Sequence, residues 1–294
     1  AAVLAPVRSS ARLQYAQFLL QTGKAEEANK FLVETTAKAP DFFPAWIQQA
    51  EIAFGQRRFD DAVAHLNRVL SRHSFSPEAM ILMSRVRLAQ GDTAKAITVL
   101  ESATNQFPQA PQMHFQLGLA YAAADDLPKA TASFTQALTL APNLVQASLA
   151  LAEVEMRQGN VRVAVSSLQK LIQQQPNLAD AQMLLAQAFR SQGNLEEALK
   201  LLRNVDTAQT SNPLPAFQIG TVLLQLGRKA EARQALTRAL TLAPGYVPAL
   251  EQLIAIDIAD KNLPAAQTRL DAELAKAPKA AALHALQARL ALAR

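Results

Sequence analysis

The chain has no cysteine, which removes disulfides, thiol nucleophiles and every cysteine-held metal centre at once. Glycine (9) and proline (15) are sparse and spaced out, so neither a low-complexity tract nor a disordered composition is present. No apolar run approaches the roughly 18 residues that a membrane span needs. The segment "VQASLALAEVEM" is among the most apolar, yet Glu or Gln breaks it every few residues, as in an amphipathic helix. Charge is scattered too: 29 basic residues face 24 acidic ones with no block of like sign. With three Tyr and one Trp, that distribution offers no basic groove on which bases could stack, and nucleic acid is not an expected partner. The opening "AAVLAPVRSS" has neither a charged nor a long apolar signal region and no initiator Met. The expectation is a processed or excised piece of a longer protein.

Catalytic signatures are missing as well. The four histidines, His65, His73, His114 and His284, form no HExxH or HxxxH pair, and no metal site is expected. Neither a GxSxG elbow nor a phosphate-binding Gly loop occurs. The expectation is a protein that is not an enzyme and has no cofactor.

What the chain does have is a period. The hexapeptide "ALTLAP" stands at 137–142 and again at 239–244, 102 residues apart, or three steps of 34. On that step fall Pro6, Pro40, Pro108, Pro142, Pro176, Pro244 and Pro278, with Ser74 and Thr210 in the two vacant places. Eight alanines share a second phase: Ala28, Ala62, Ala96, Ala130, Ala164, Ala198, Ala232 and Ala266. Four residues after each comes Leu, or Phe134 in one copy. A third phase carries Gly23, Gly91, Gly159, Gly193 and Gly227.

A period of this length reads as a helix–turn–helix unit. In the copy 111–144, His114, Leu117, Gly118 and Tyr121 share one face of a first helix, and Ala130, Phe134 and Ala137 one face of a second. The Gly suits a left-handed helix end. Asp92, Asn160 and Asn194 follow it and are expected to cap the next helix. The periodic Pro is expected to end the second helix. Each invariant Ala is read as a close contact with a small residue on the first helix, which Ile254 alone departs from among Ala16, Ala50, Ser84, Gly118, Ala152, Ala186 and Gly220. His114 and His284 lie in the bulky packing phase and are expected in the core or an interface. Arg87, Glu155 and Asp257 put charge in a bulky phase; the alternatives are a buried polar relay and, the favoured reading, partly exposed ion pairs between repeats or looser joints. The Asp257 copy, odd also at Ile254 and Glu273, is expected to be the softest joint.

Trp46 in one copy, and His114, Leu117, Gly118, Tyr121, Ala130, Phe134, Ala137 and Pro142 in another, follow a known pattern. In these residues the chain resembles the tetratricopeptide repeat (TPR) family over effectively its whole length. The resemblance implies an all-α, right-handed α-solenoid of stacked helix–turn–helix units. The expected layout is a repeat tail at 1–8, eight repeats starting at 9, 43, 77, 111, 145, 179, 213 and 247, and at 281–294 the first helix of a further, truncated repeat acting as a cap.

It also implies that the first helices line a concave, partner-binding surface. The fifth position of each repeat gives Leu13, Ile47, Ile81, Phe115, Leu149, Met183, Phe217 and Glu251. The twelfth gives Leu20, Phe54, Leu88, Ala122, Met156, Arg190, Leu224 and Ile258. These two rails are either a groove for an apolar or amphipathic peptide or part of the packing between repeats. The sixth position is rich in Gln, at Gln14, Gln48, Gln116, Gln218 and Gln252, which is either a ladder for a peptide backbone or a solvated row. Arg85, Arg157 and Arg190 are placed to receive acidic groups, balanced by Glu51, Glu153 and Asp180.

The expected function is a protein-interaction scaffold that binds a partner peptide or protein. Phe54, Phe115, Met156 and Phe217 are its anchors; Ile81, Leu149, Met183, Gln116, Gln218 and the three arginines complete the surface. End-to-end self-association, or service as a substrate-recruiting arm of a larger enzyme, are the alternatives. The cysteine-free, Ala- and Gln-rich style resembles bacterial envelope arrays of secretion and assembly systems, which leans the expected location toward the periplasm.

Overall fold

The structure, a computed structural model, describes residues 5–292. It contains seventeen α-helices and, among the described residues, no strand. The first helices of the hairpins are α1 (Ser10–Gln21), α3 (Phe43–Gly55), α5 (Pro77–Ala89), α7 (Pro111–Ala123), α9 (Val145–Arg157), α11 (Ala179–Ser191), α13 (Pro213–Gln225), α15 (Val247–Ala259) and α17 (Ala281–Leu292). The second helices are α2 (Ala25–Lys38), α4 (Phe59–Leu70), α6 (Thr93–Gln106), α8 (Leu127–Leu140), α10 (Val161–Gln174), α12 (Leu195–Ala208), α14 (Lys229–Leu242) and α16 (Leu263–Lys276). The chain forms two compact bodies, residues 1–154 and 155–294.

One turn joins the two helices of every hairpin. Its left-handed residue is Gly23, Gly91, Gly159, Gly193 or Gly227 in five copies and Arg57, Asp125 or Lys261 in the other three. The next residue sends its N–H back to a carbonyl five residues earlier, as in Asp92 to Arg87 at 2.9 Å and Arg228 to Leu223 at 2.8 Å. This closes the helix end and satisfies carbonyls that would otherwise lack donors. The capping expectation holds for Asp92, whose carboxylate accepts from the Lys95 N–H, and fails for Asn160 and Asn194. Those two amides turn back instead, to Glu155 and Gln192. Asp126 and Asn262 supply the equivalent cap to α8 and α16.

The second helices end in an extended residue just before the periodic Pro, such as Ala39 (φ −138°, ψ 79°) and Ala141 (φ −139°, ψ 84°). Pro restricts its predecessor to that region. Where Ser74 replaces it, α4 runs 12 residues instead of 14. Thr210 leaves α12 at 14, so the cap conformation survives without the ring there.

Packing follows the two invariant phases. All eight alanines from Ala28 to Ala266 are fully buried, and the residues four later, from Leu32 to Leu270, are at most 1% exposed. Burying each of those large side chains contributes about 1.5–3 kcal/mol. At Gly118 and Gly220 the small residue on the first helix faces the large one more closely than it faces the Ala. A Cβ on Gly118 would come within 2.5 Å of the Phe134 ring, and one on Gly220 within 2.5 Å of Leu236. The small phase therefore makes room for the Leu or Phe, with the Ala drawing the helices together beside it.

Candidate protein-interaction surface

Within the N-terminal body α1, α3, α5 and α7 approach one another in succession, as do α13, α15 and α17 in the C-terminal body. This carries the fifth and twelfth positions along neighbouring first helices. All sixteen of these residues are half-buried: none is sealed in the core and none stands free. Most of them pack on their inner side against buried clusters. Ile47 and Phe54 lie on the cluster around Leu66 and Met83, Phe115 on that around Phe134, and Phe217 and Leu224 on those of the C-terminal body. Their outer edges remain open to solvent. These side chains contribute to the packing of the repeats and keep one edge exposed.

In the N-terminal body, the Arg85 guanidinium lies 5.2 Å from the centre of the Phe54 ring, a cation–π contact that fixes both. Phe54 also meets Phe59 at 6.1 Å, and Phe115 meets buried Phe134 at 5.9 Å. Ile81, Leu149 and Gln116 are half-buried. Partial burial pushes the Glu51 carboxyl above the usual carboxylate range, and the charge of Arg85 opposes that rise. Gln48 donates its amide N–H to the Leu13 carbonyl at 3.3 Å, so this rung of the Gln row is tied to the protein.

In the C-terminal body, Met156, Met183, Phe217 and Gln218 are half-buried and Arg157 is exposed. Phe217 packs edge-on against Tyr246, with ring centres 5.6 Å apart. Arg190 is half-buried in the twelfth-position rail and has no side-chain hydrogen bond or ion pair among the described residues. A guanidinium without an acceptor keeps its hydrogen-bonding capacity for a carboxylate.

Three expectations are corrected. Asp257 is 1% exposed, not partly open: Arg233 and Arg269 both bind its carboxylate, Arg269 Nε at 3.2 Å. Arg87 and Glu155 bond inside their own turns, to Gln90 and Asn160, and among the described residues bridge no repeats. His114 is half-buried and His284 exposed, because each ring reaches out to a junction: Nε2 donates at 2.9 Å to the carbonyl of Pro108 or Pro278. Trp46 and Gln182 make the same bond to Pro40 and Pro176. Sequence reading missed this latch, although the spacing of six residues between Pro and a donor side chain was there to be seen. His65 sits against Trp46 and His73 against Phe43. Among the described residues no cluster of His, Asp and Glu could hold a metal, and no helix is long and apolar enough to cross a membrane.

Tetratricopeptide repeat family models match residues 53–117, 111–144, 149–213 and 216–246, together more than half of the chain. The chain belongs to the tetratricopeptide repeat family, and its fold is the all-α solenoid of that family. No curated protein sequence matches it. Among solved structures, a tetratricopeptide repeat protein from Parabacteroides merdae superposes with a TM-score of 0.67 at 18% identity, over 83% of this chain and 97% of that one. Yeast Tom70 gives 0.68 at 14% identity, over 92% of this chain and 59% of its own. MamA from Desulfovibrio magneticus gives 0.51 at 20% identity, over 57% and 96%. At these identities the likeness concerns the fold. The fold and family are those of protein-interaction scaffolds, which are in general not enzymes.

Proposed function

We propose that the chain is a non-enzymatic scaffold whose first-helix faces bind a protein or peptide partner through apolar rails. The observation that carries this reading is the half-burial of the fourteen apolar rail residues, which leaves apolar edges already ordered by the fold. Phe54, Ile81, Phe115 and Leu149 anchor the partner on the N-terminal body, with Gln116 and Arg85 orienting it. On the C-terminal body Met156, Met183 and Phe217 take that role, with Gln218, Arg157 and Arg190. Charge favours an acidic partner segment for the second body: residues 1–154 carry thirteen basic and thirteen acidic groups, and residues 155–294 carry sixteen and eleven. The cysteine-free, Ala- and Gln-rich composition supports a setting in a bacterial envelope secretion or assembly system, which cell fractionation would check.

Random peptides displayed on phage and selected on the wild-type chain test the reading. Selected sequences should combine bulky apolar residues with Asp or Glu. Their binding should fall about tenfold or more in Arg190→Glu, the loss of one half-buried ionic contact. Phe115→Glu with Phe217→Glu should abolish it while circular dichroism stays helical. Peptides that bind these variants and wild type alike would move the site off the first helices.

One observation favours self-association as a second reading. Phe18 is 56% exposed, whereas the residues at its phase in the next seven repeats, from Ile52 to Ile256, are buried. If Phe18 seats a second copy, Phe18→Asp will lower a concentration-dependent mass in sedimentation equilibrium.

A further inference from the structure

A cavity of about 500 Å³ lies between α14 and α16, the second helices of the last two repeats. It belongs to neither rail. Arg269, Glu273 and Lys276 stand on its wall beside Thr237, Thr241 and Leu240.

The hairpin fold does not demand charge at these phases. At the phase of Arg269 other repeats carry Phe31, His65, Val99, Ser133, Ser167, Leu201 or Ala235, and at that of Glu273 they carry residues such as Ala137 and Ala239. Those repeats fold with the same hairpin. A buried ion pair is in any case a weak source of stability compared with apolar side chains of similar size.

The charges also fail to cancel. Arg233 binds both Asp257 and Asp260, Lys229 binds Asp260 at 2.6 Å, and Arg269 binds Asp257 through Nε alone. Three cations thus share two carboxylates. Glu273 is 4% exposed and is satisfied by Lys276 Nζ and the Gly245 N–H, both at 2.7 Å, so it neutralises nothing beyond its own partner. The surplus positive charge ends at Arg269, which lines the cavity and whose two terminal nitrogens have no partner among the described residues.

The remaining wall selects among anions. Thr241 commits its hydroxyl proton to the Thr237 carbonyl, which leaves its oxygen as an acceptor for a ligand N–H. Leu240 supplies an apolar floor. Glu273 and Lys276 cancel each other on this wall, so the surplus there is the single positive charge of Arg269, which matches a carboxylate monoanion better than a phosphate dianion. We propose that this cavity is a second binding site, for one acidic amino-acid residue. Its side-chain carboxylate would lie on the free edge of Arg269, its stem over Leu240 and its backbone N–H on the threonine oxygens. A free glutamate and a glutamyl residue within a peptide share this chemistry.

The full chain, labelled with ¹⁵N, is titrated with N-acetyl-glutamate N-methylamide and, separately, with free L-glutamate. Saturable amide shifts confined to α14 and α16 are expected with at least one of them. Stronger binding of the blocked compound assigns the site to a peptide residue, and stronger binding of the free one to the amino acid. N-acetyl-glutamine N-methylamide should bind about tenfold more weakly, because it lacks the charge that Arg269 reads. Arg269→Gln should weaken binding to a similar degree. Ala272→Phe fills the cavity from an exposed position, leaves every ion pair in place, and should abolish binding with the unfolding transition unchanged. Absence of localised shifts with both glutamate compounds, equal binding of the glutamine compound, tighter binding of inorganic phosphate, or indifference to Ala272→Phe would each overturn the proposal.

Discussion

In the hairpin 111–144, three core phases hold Tyr121, Phe134 and Ala137; in the hairpin 247–280 the same phases hold Asp257, Leu270 and Glu273. Both hairpins keep the left-handed turn residue, the fully buried Ala and an Asp or Asn cap on the second helix. Only the filling differs. The first is closed by rings: Gly118 lets the Phe134 ring lie against the helix backbone, with Phe115 above it. The second has Ile254 where the first has Gly118, a Leu in place of the Phe, and a network of charge around two buried carboxylates. The turn and the two packing phases therefore define the repeat, and the other core phases are free to carry different chemistry.

The largest expected effects break each filling at its centre. Phe134→Ala empties a fully buried ring site and should cost about 3–5 kcal/mol. Asp257→Ala leaves Arg269 without an acceptor and Arg233 with Asp260 alone. It should cost about 3 kcal/mol, the low end for breaking a buried pair, because both arginines reach water. Urea unfolding of the two variants measures both. If Asp257→Ala proves neutral, the ionic filling contributes nothing to stability, and the two hairpins differ by more than their side chains.

The period alone made the common frame legible: seven prolines, eight alanines and five glycines on one step placed the helices and turns. The filling was less legible. Asp257 was visible as an oddity, but its partners Arg233 and Arg269 lie 24 and 12 residues away on other helices, and no local pattern links them. Asn160 and Asn194 looked like caps because amides often are; here neighbouring acceptors, Glu155 and Gln192, compete for the same side chains. The rails could not be resolved in sequence because a residue sealed on one side and open on the other satisfies both a groove and a core.

A smaller change sharpens what the hairpins share. Their left-handed turn residues are Asp125 (φ 62°) and Lys261 (φ 57°), where five other copies have Gly. A Lys there carries a steric cost that Gly avoids, and Asp tolerates the region better. Lys261→Gly should therefore raise stability by about 0.5–1 kcal/mol, and Asp125→Gly by less. Gly91→Ala should lower it by a similar amount, although its Cβ would meet no atom within 4 Å, because the penalty lies in the backbone alone. Thermal unfolding of the three variants separates backbone strain from packing.

The smallest effect at neutral pH, and the one most specific to each filling, is titration at the two extremes. Burial, the hydrogen bond to Glu101 at 2.5 Å and the charges of Glu101 and Asp126 push the Tyr121 hydroxyl up to about 12 from its ordinary value of 10.0. The folded chain thus holds this proton more tightly than the unfolded one, so the contribution is complete below pH 10.0 and is lost as pH rises toward 12. In the other hairpin, hydrogen bonds from Lys229 and Arg233 hold Asp260 below its ordinary 3.8. Its contribution is complete above that value and disappears as acid protonates the folded carboxylate. Tyr121→Phe should flatten the alkaline limb of a stability–pH curve and leave the acid limb alone, whereas Asp260→Asn should do the reverse. If both variants shift the same limb, the two hairpins are electrostatically coupled, and the separation of their fillings fails.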